Sequence, residues 1–218
     1  MKDLRPIRGH TFLSRAVAQG EHLTQDFKFA ISDAHKIAHS ISAFANNVGG
    51  RLLVGVKDNG AIAGIRTDED IYLLEQAAQM YCEPAQELHF TAYKTEGGRA
   101  IVVSAEVAPS PEKGVMCIEA DGSRQAYFRI HNENIAVTPL MLDCWRARYN
   151  PSSTPSGAAD AEREVLARLE ANGPMLPERL AAGVRQSADT LRGALLRLYA
   201  MELIEFTFVN RKFHLTAI

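Results

Sequence analysis

A stretch of two dozen residues, 37–60, constrains the fold more than any other part of the chain. Apolar residues recur in it at helical spacing as far as Val48, and Gly49-Gly50 then supply backbone conformations that end a helix. The apolar run from Leu52 to Val56 predicts a strand that is covered on both faces. Asp58-Asn59-Gly60 has the composition of a tight hairpin turn, because Asn and Gly tolerate positive φ angles. The stretch therefore predicts a helix, a buried strand and a hairpin in direct succession.

The order of these elements argues against nucleotide hydrolysis. A phosphate loop connects a strand to the N-terminus of a helix, where free N–H groups face the anion. Here the glycines follow a helix and precede a strand, and the chain contains no GxxxxGK[ST] motif. We therefore do not expect an ATPase.

The rest of residues 1–149 reads as short helices and strand pairs joined by turn residues. Such hairpins, in place of repeated βαβ units, predict a mixed α+β domain. The central helix begins at an N-cap formed by Ser32-Asp33. The other helices are predicted at residues 12–19, 68–82 and 138–149, and the strands at 23–29, 52–56, 61–65, 87–95, 100–107, 115–120 and 125–131.

The C-terminal part of the chain predicts a second, smaller domain. Residues 150–158 have the Pro, Ser and Gly content of a linker. Residues 159–218 predict helices at 159–171, 177–182 and 187–201, and then a hairpin of 203–209 and 211–216. This order resembles the winged helix-turn-helix domain of bacterial regulators. The predicted organisation is therefore a domain at 1–149, a linker at 150–158 and a winged-helix domain at 159–218.

Several motifs of the first domain occur in the order found in the Schlafen Alba-like family. They are Asp26-Phe27-Lys28, the run Ile41 to Asn46, Gly49-Gly50, Leu53 to Val56 with Asp58, Gly60 and Gly64, and Tyr127-Phe128-Arg129-Ile130. Over roughly residues 10–137 the chain resembles this family. The resemblance implies an Alba-like α+β fold and DNA binding. The family also contains nucleases, and its members were once labelled divergent ATPases.

The resemblance to Schlafen-type nucleases also implies an alternative catalytic site. Glu21 and Asp26 precede the central helix, and Asp58 follows the next strand. Three such carboxylates can hold magnesium or manganese ions that activate water for phosphodiester cleavage, with Lys28 beside the phosphate. A local interpretation competes with this one, because Glu21 follows a helix stop and Asp58 opens a turn. Asp26 also stands where the family has Glu.

One face of the central helix is polar. His35, His39, Ser42 and Asn46 follow each other at helical spacing. We interpret this as a solvated face, or as one that contributes polar groups to a binding groove. The two histidines have a spacing that can hold zinc, but the sequence offers no third ligand.

Charge and cysteine content limit the classes of function. The formal net charge is −2, so nucleic-acid binding requires a local basic patch. The three cysteines, Cys82, Cys117 and Cys144, lie far apart in no CxxC pair, which is typical of a reducing compartment and argues against structural zinc. The sequence begins with no signal peptide and has no run of transmembrane length. We expect a cytoplasmic protein.

The candidate nucleic-acid contacts fall in both domains. In the first, Arg51, Lys57, Arg124 and Arg129 lie on predicted strands or at their ends and could form one basic patch. In the second, the exposed side of the third helix and the hairpin tip offer groove and phosphate contacts from Gln186, Ser187, Thr190, Arg192, Arg211 and Lys212. Residues 159–218 nevertheless carry eight basic and eight acidic residues, so packing or dimerisation is an open alternative for this domain.

Three functions remain open from the sequence. The first is a DNA-binding transcriptional regulator without cofactor or membrane partner, acting on DNA in preference to RNA and as a homodimer. The second is a divalent-metal-dependent ribonuclease that uses Glu21, Asp26, Lys28 and Asp58. The third is a non-enzymatic module that binds protein.

Overall fold

The computed structural model describes residues 4–150 and 159–218, which form two compact units, Met1–Val137 and Thr138–Ile218. The division falls before the helix at 138–149, which the sequence analysis assigned to the first domain. The predicted linker lies outside the described residues except for Asn150. No helix of the described residues is both long and apolar enough to cross a membrane.

The first unit contains two sheets. Its helices are α1 (His10–Gln19), α2 (Ala34–Ala45) and α3 (Glu69–Met80). Five strands form a mixed sheet in the order β1-β5-β6-β3-β2, where β1 and β2 run parallel to their neighbours and the other pairs are antiparallel. These strands are β1 (Ile7–Arg8), β2 (Gln25–Lys28), β3 (Gly50–Val54), β5 (Leu88–Lys94) and β6 (Ile101–Val107). An antiparallel sheet follows the order β4-β7-β8-β9, with β4 (Cys82–Glu83), β7 (Met116–Ile118), β8 (Arg124–Ile130) and β9 (Glu133–Ala136). The predicted mixed α+β class is confirmed.

Residues 37–60 fold largely as predicted. Asp33 caps α2, because its side chain accepts hydrogen bonds from two backbone N–H groups of the first turn. Gly49 has a φ of 80°, and a Cβ at Gly50 would lie 2.3 Å from the ring of Phe44. The predicted return strand at 61–65 is reduced to a single bridge, since Ile65 donates its N–H to the start of β6 instead.

Helix α2 is buried on both sides, and the prediction of a solvated polar face is wrong for Ser42 and Asn46. Both side chains are fully buried against the second sheet. Asn46 Oδ1 accepts hydrogen bonds of 2.8 Å from the backbone N–H groups of Gly114 and Val115. Ser42 Oγ donates to the Val115 carbonyl at 2.8 Å and accepts from the Tyr127 N–H at 3.0 Å. The polar face therefore satisfies backbone groups that would otherwise be buried without partners.

The second unit has the predicted element order. Its elements are α4 (Pro139–Tyr149), α5 (Ala159–Asn172), α6 (Pro177–Gly183), α7 (Ala188–Ala200), β10 (Ile204–Val209) and β11 (Lys212–Ala217). Strands β10 and β11 pair antiparallel, and a bridge from Met175 to Leu215 extends this small sheet. Helix α4 packs against α7 and buries Met141, Cys144 and Trp145.

Candidate nucleic-acid interface and carboxylate network

Asp26 is the centre of a buried ionic network at the outer strand of the five-stranded sheet. It lies on β2 and is 4% exposed. One carboxylate oxygen accepts from Lys28 Nζ at 2.7 Å and from Ser40 Oγ at 3.2 Å. The other lies 3.4 Å from the guanidinium of Arg129. Two cations and a hydroxyl therefore compensate the buried charge of Asp26.

Arg129 joins the two sheets of the first unit and is 1% exposed. Its guanidinium donates to the Asn134 side chain at 2.8 Å and to the backbone carbonyls of Gln25 and His22 at 3.2 and 3.3 Å. It also lies 4.9 Å from the centre of the Phe44 ring. Contrary to the prediction from sequence, this position does not suit a phosphate contact, because its donors already have partners inside the protein.

Glu21 and Asp26 are hydrogen-bonded to each other, and their pKa values move apart. Burial and the hydrogen bond with Asp26 raise the pKa of Glu21. Burial opposes ionisation of Asp26 as well, but the hydrogen bond with Glu21 and the charges of Lys28 and Arg129 lower its pKa. Glu21 is thus the carboxyl that takes up a proton first. A carboxylic acid beside a carboxylate is an arrangement that can transfer protons.

Asp58 does not join Glu21 and Asp26. It is exposed in the turn that follows β3. Within residues 4–150 and 159–218, no three His, Cys, Asp or Glu side chains lie together in a way that could hold a metal ion. The structure thus brings together Glu21, Asp26 and Lys28 of the predicted catalytic set, but not the three carboxylates of the predicted metal set.

The two histidines of α2 bind protein groups instead of forming a zinc site. His35 stacks on Tyr81, and its Nδ1 lies 2.8 Å from the Ile118 carbonyl. His39 stacks on Tyr127, and its Nε2 lies 3.0 Å from a carboxylate oxygen of Glu119. The histidines therefore belong to the contact between α2 and the second sheet.

Exposed cations converge on one edge of the five-stranded sheet. Strands β1, β2, β3 and β5 end at this edge and β6 begins there, as the pairing register requires. Arg8 and Lys94 are the last residues of β1 and β5, Lys57 follows β3, and Arg99 precedes β6. Arg66 joins them, because the preceding Ile65 is hydrogen-bonded to the first residue of β6. We call Arg8, Lys57, Arg66, Lys94 and Arg99 the cationic edge.

Two local arrangements concentrate positive charge at the cationic edge. Lys57 and Arg66 lie 5.3 and 4.9 Å from the centre of the Phe29 ring, which immediately follows β2. Arg8 and Lys94 are directly opposite each other in neighbouring strands. Acidic side chains also lie near this edge: Asp58, Glu96, which lies 3.4 Å from His10, and Asp70, whose carboxylate accepts from the N–H of Ile31 two residues after Phe29.

Arg51 and Arg124 lie apart from the cationic edge, so the predicted single patch does not form. Arg51 is at the opposite end of the sheet, where its Nε donates to Gln25 Oε1 at 2.8 Å and Glu106 stands opposite it on β6. It lines a groove of about 630 Å³ together with Glu87 and Glu106. Arg124 lies in the other sheet and forms an ion pair with Glu83. Of the four predicted residues, only Lys57 belongs to the cationic edge.

Helix α7 is largely covered. Arg192 forms an ion pair with Asp143 of α4, and Arg148 of α4 lies 5.7 Å from the ring of Tyr199. Helix α4 therefore lies along the side of α7 that carries Arg192. Among the described residues of this unit, six arginines are paired with carboxylates: Arg146, Arg148, Arg163, Arg168, Arg192 and Arg197.

The other predicted residues of the second unit lie at the two ends of its helix and hairpin. Ser187 caps α7, since its Oγ accepts from the Thr190 N–H at 3.2 Å, and Gln186 is half-buried just before the cap. Arg211 and Lys212 are exposed at the tip between β10 and β11. This separation leaves the hairpin tip as the exposed basic part of the predicted surface.

A match to a family model identifies the family of this chain. The model described as "Schlafen, AlbA_2" matches residues 21–138, which is more than half of the chain. The chain belongs to the Schlafen AlbA_2 family. The matched region contains the Asp26 network and the whole cationic edge except Arg8.

The chain is also similar to several solved structures. The crystal structure of the DIP2311 protein from Corynebacterium diphtheriae is 20% identical, covers 68% of this chain and gives a TM-score of 0.44. This chain spans 30% of the length of that protein. No curated protein sequence matches.

The AlbA_2 domain contains functional candidates that the sequence analysis missed. Phe29, Arg66, Lys94 and Arg99, and Arg8 before the matched region, are absent from the predicted contacts. A signal for three of the five exists in the sequence, since Phe29, Lys94 and Arg99 stand at or beside the ends of predicted strands. This signal can be used only when the strand order is known, because the strand order determines which strand ends lie at the same edge of the sheet.

Proposed function

We propose that this protein binds nucleic acid through the cationic edge of its AlbA_2 domain. The observation that carries the proposal is that five exposed cations lie together at one edge of the sheet. The rest of this unit carries many acidic residues. Neutralisation of phosphates by Lys and Arg supplies most of the non-specific affinity for nucleic acid. Family membership supports the same class of ligand.

The first unit suits this role better than α7. A recognition helix needs an exposed face that can enter the major groove. Helix α4 lies along α7, and Arg192 already has a carboxylate partner. In the second unit, the exposed residues Arg211 and Lys212 can add phosphate contacts from the hairpin tip.

Within this proposal the ligand is DNA and the role is transcriptional regulation. The support is the element order of residues 159–218, which resembles that of a winged helix. A homodimer would present two cationic edges and raise the affinity of a chain whose net charge is −2.

The experiment is a fluorescence anisotropy titration of labelled duplex DNA and of a structured RNA. The variant Lys57→Gln/Arg66→Gln removes the two cations beside Phe29, and Arg124→Gln is the matched control from the other sheet. We expect the double variant to weaken binding about tenfold or more, as the loss of two phosphate contacts requires, and the control to leave it unchanged. Equal affinity of all three proteins would contradict the proposal, and a preference for RNA would exclude the DNA assignment.

A metal-dependent ribonuclease is the second candidate, favoured by the contact of Glu21, Asp26 and Lys28. Its test is the incubation of a structured RNA with and without manganese. Fragments that need manganese and are lost in Asp26→Asn would establish it. Intact RNA would exclude it.

A protein-interaction module is the third candidate. Met201, Leu203 and Ile218 are 52%, 42% and 75% exposed, and Ile218 donates its N–H to the Leu203 carbonyl. An exposed apolar patch of this kind is typical of interaction sites. The absence of any binding to DNA or RNA in the titration would favour this candidate.

A further inference from the structure

Two of the three cysteines become direct neighbours in the folded chain. Cys82 lies on β4 and Cys117 on β7, and the antiparallel register places them opposite each other. Both are free thiols. The third cysteine, Cys144, lies on α4 in the second unit.

The backbone geometry of the pair suits a disulfide. Ile118 donates its N–H to the Tyr81 carbonyl at 3.0 Å, so Tyr81 and Ile118 are a hydrogen-bonded pair of the ladder. The next pair, Cys82 and Cys117, is therefore non-hydrogen-bonded, and the Cα atoms of such pairs are about 4.5 Å apart. Disulfides span Cα distances of about 4.4–6.8 Å. The Cys82 thiol donates to the Ala38 carbonyl at 3.9 Å.

The strand that carries Cys82 is short and lies at one edge of the sheet. Strand β4 has two residues and is an edge strand. Cys82 is 4% exposed and Cys117 is fully buried. The hydrogen bond with Cys82 and burial raise the pKa of Cys117, which keeps this group a thiol. Local opening of a short edge strand such as β4 would expose Cys82 to a small oxidant.

We propose that Cys82 and Cys117 form a reversible disulfide on exposure to a peroxide. Hydrogen peroxide oxidises the Cys82 thiol to a sulfenic acid and is itself reduced to water. The Cys117 sulfur then attacks the Cys82 sulfur, the S–S bond forms, the S–O bond breaks, and the oxygen leaves as a second water with the Cys117 proton. One peroxide accepts the two electrons that the two thiols lose. A dithiol reductant reverses the reaction by thiol–disulfide exchange.

The disulfide would fix the edge strand to the sheet. Strand β4 follows α3 directly, and Glu83 on this strand pairs with Arg124 of β8. A covalent link between β4 and β7 removes local opening at this edge. The oxidised protein is therefore expected to unfold at a higher temperature than the reduced protein.

The experiment treats the folded wild-type chain with hydrogen peroxide, blocks the remaining thiols and digests it with trypsin. Cleavage after Lys and Arg places the three cysteines in separate peptides, 67–94, 114–124 and 130–146. Sulfoxide at Met201, which is 52% exposed, reports that the peroxide dose was sufficient. We expect peptides 67–94 and 114–124 to be linked with the loss of two hydrogens, and dithiothreitol to restore both.

Two variants make the result specific. Cys144→Ser is the matched control and is expected to form the link as the wild type does, whereas Cys82→Ser is expected to keep Cys117 and Cys144 as titratable thiols. Linked peptides that contain Cys144, or a peroxide dose that oxidises Met201 without linking Cys82 to Cys117, would overturn the proposal. An oxidised wild type that melts no higher than the reduced form would overturn its structural consequence.

Discussion

Arg8 and Lys94 stand directly opposite each other on the parallel strands β1 and β5. Like charges at facing positions of neighbouring strands repel each other. Both side chains are exposed, and in the described part of the chain neither has an ion-pair partner. A polyanion bound at this edge would relieve the repulsion, and the pair would then favour binding at a cost to stability.

Reversal of one charge should separate stability from binding. Lys94→Glu turns the repulsion with Arg8 into attraction, and we expect it to stabilise the protein by roughly 0.2–1 kcal/mol. The same change should weaken nucleic-acid binding, because it removes a cation from the edge. Thermal melts and anisotropy titrations measure the two effects. A variant that melts lower, or that binds as tightly as the wild type, would contradict the role given to this pair.

Arg129 should be essential for stability and not for direct contact with the ligand. Arg129→Met leaves the buried Asp26 without one of its cations, and we expect a loss of about 3–5 kcal/mol. The matched control is Arg124→Met, which removes an exposed pair worth about 0–1 kcal/mol. Urea unfolding of both variants provides the comparison. Equal losses of stability in the two variants would contradict the stabilising role assigned to the buried Arg129.

The Glu21–Asp26 pair should make stability depend on pH in two opposite ways. The pKa of Asp26 in the folded protein is lowered from 3.8. Ionised Asp26 therefore stabilises the fold above pH 3.8, and this stabilisation is lost as the pH falls through the lower folded pKa. The pKa of Glu21 in the folded protein is raised from 4.5. Protonated Glu21 therefore stabilises the fold below pH 4.5, and this stabilisation is lost as the pH rises through the raised folded pKa.

Two variants test these signs. Glu21→Gln keeps the hydrogen-bonding shape of the protonated acid, and we expect it to be more stable than the wild type at neutral pH and equal to it below 4.5. Asp26→Asn should be less stable than the wild type at neutral pH, by an amount that shrinks in acid. Unfolding curves between pH 3 and pH 8 give both differences. A constant difference for either variant would contradict the assigned pKa direction.

Arg192 should be dispensable for nucleic-acid binding. Its ion pair with Asp143 of α4 keeps its charge compensated, so Arg192→Ala is expected to bind DNA with unchanged affinity. Lys57→Ala, a substitution at the cationic edge, serves as the comparison and should bind more weakly. If Arg192→Ala lost affinity for DNA and Lys57→Ala did not, the binding surface would lie on α7 and not at the cationic edge.

Local features of the fold could be predicted from sequence because short-range chemistry determines them. The N-cap at Asp33 and the turn at Asn59-Gly60 each depend on residues within one turn of chain. The boundaries of most helices and strands follow from the same signals.

The missed features depend on strand order and on contacts between distant segments. The polar face of α2 is buried because the second sheet brings backbone groups of Val115 and Tyr127 to Ser42 and Asn46. Likewise, the side-by-side position of Arg8 and Lys94 exists only once β1 has paired with β5. Neither pairing leaves a pattern within one segment.

The most direct test of the account is the salt dependence of DNA binding by the wild type and by Lys57→Gln/Arg66→Gln. Each phosphate contact contributes about 0.9 to the slope of log affinity against log salt for duplex DNA. If the cationic edge binds the phosphates, the slope of the double variant should be smaller by about 1.8, with Arg124→Gln unchanged. An identical slope for all three proteins would contradict the claim that this edge is the nucleic-acid interface.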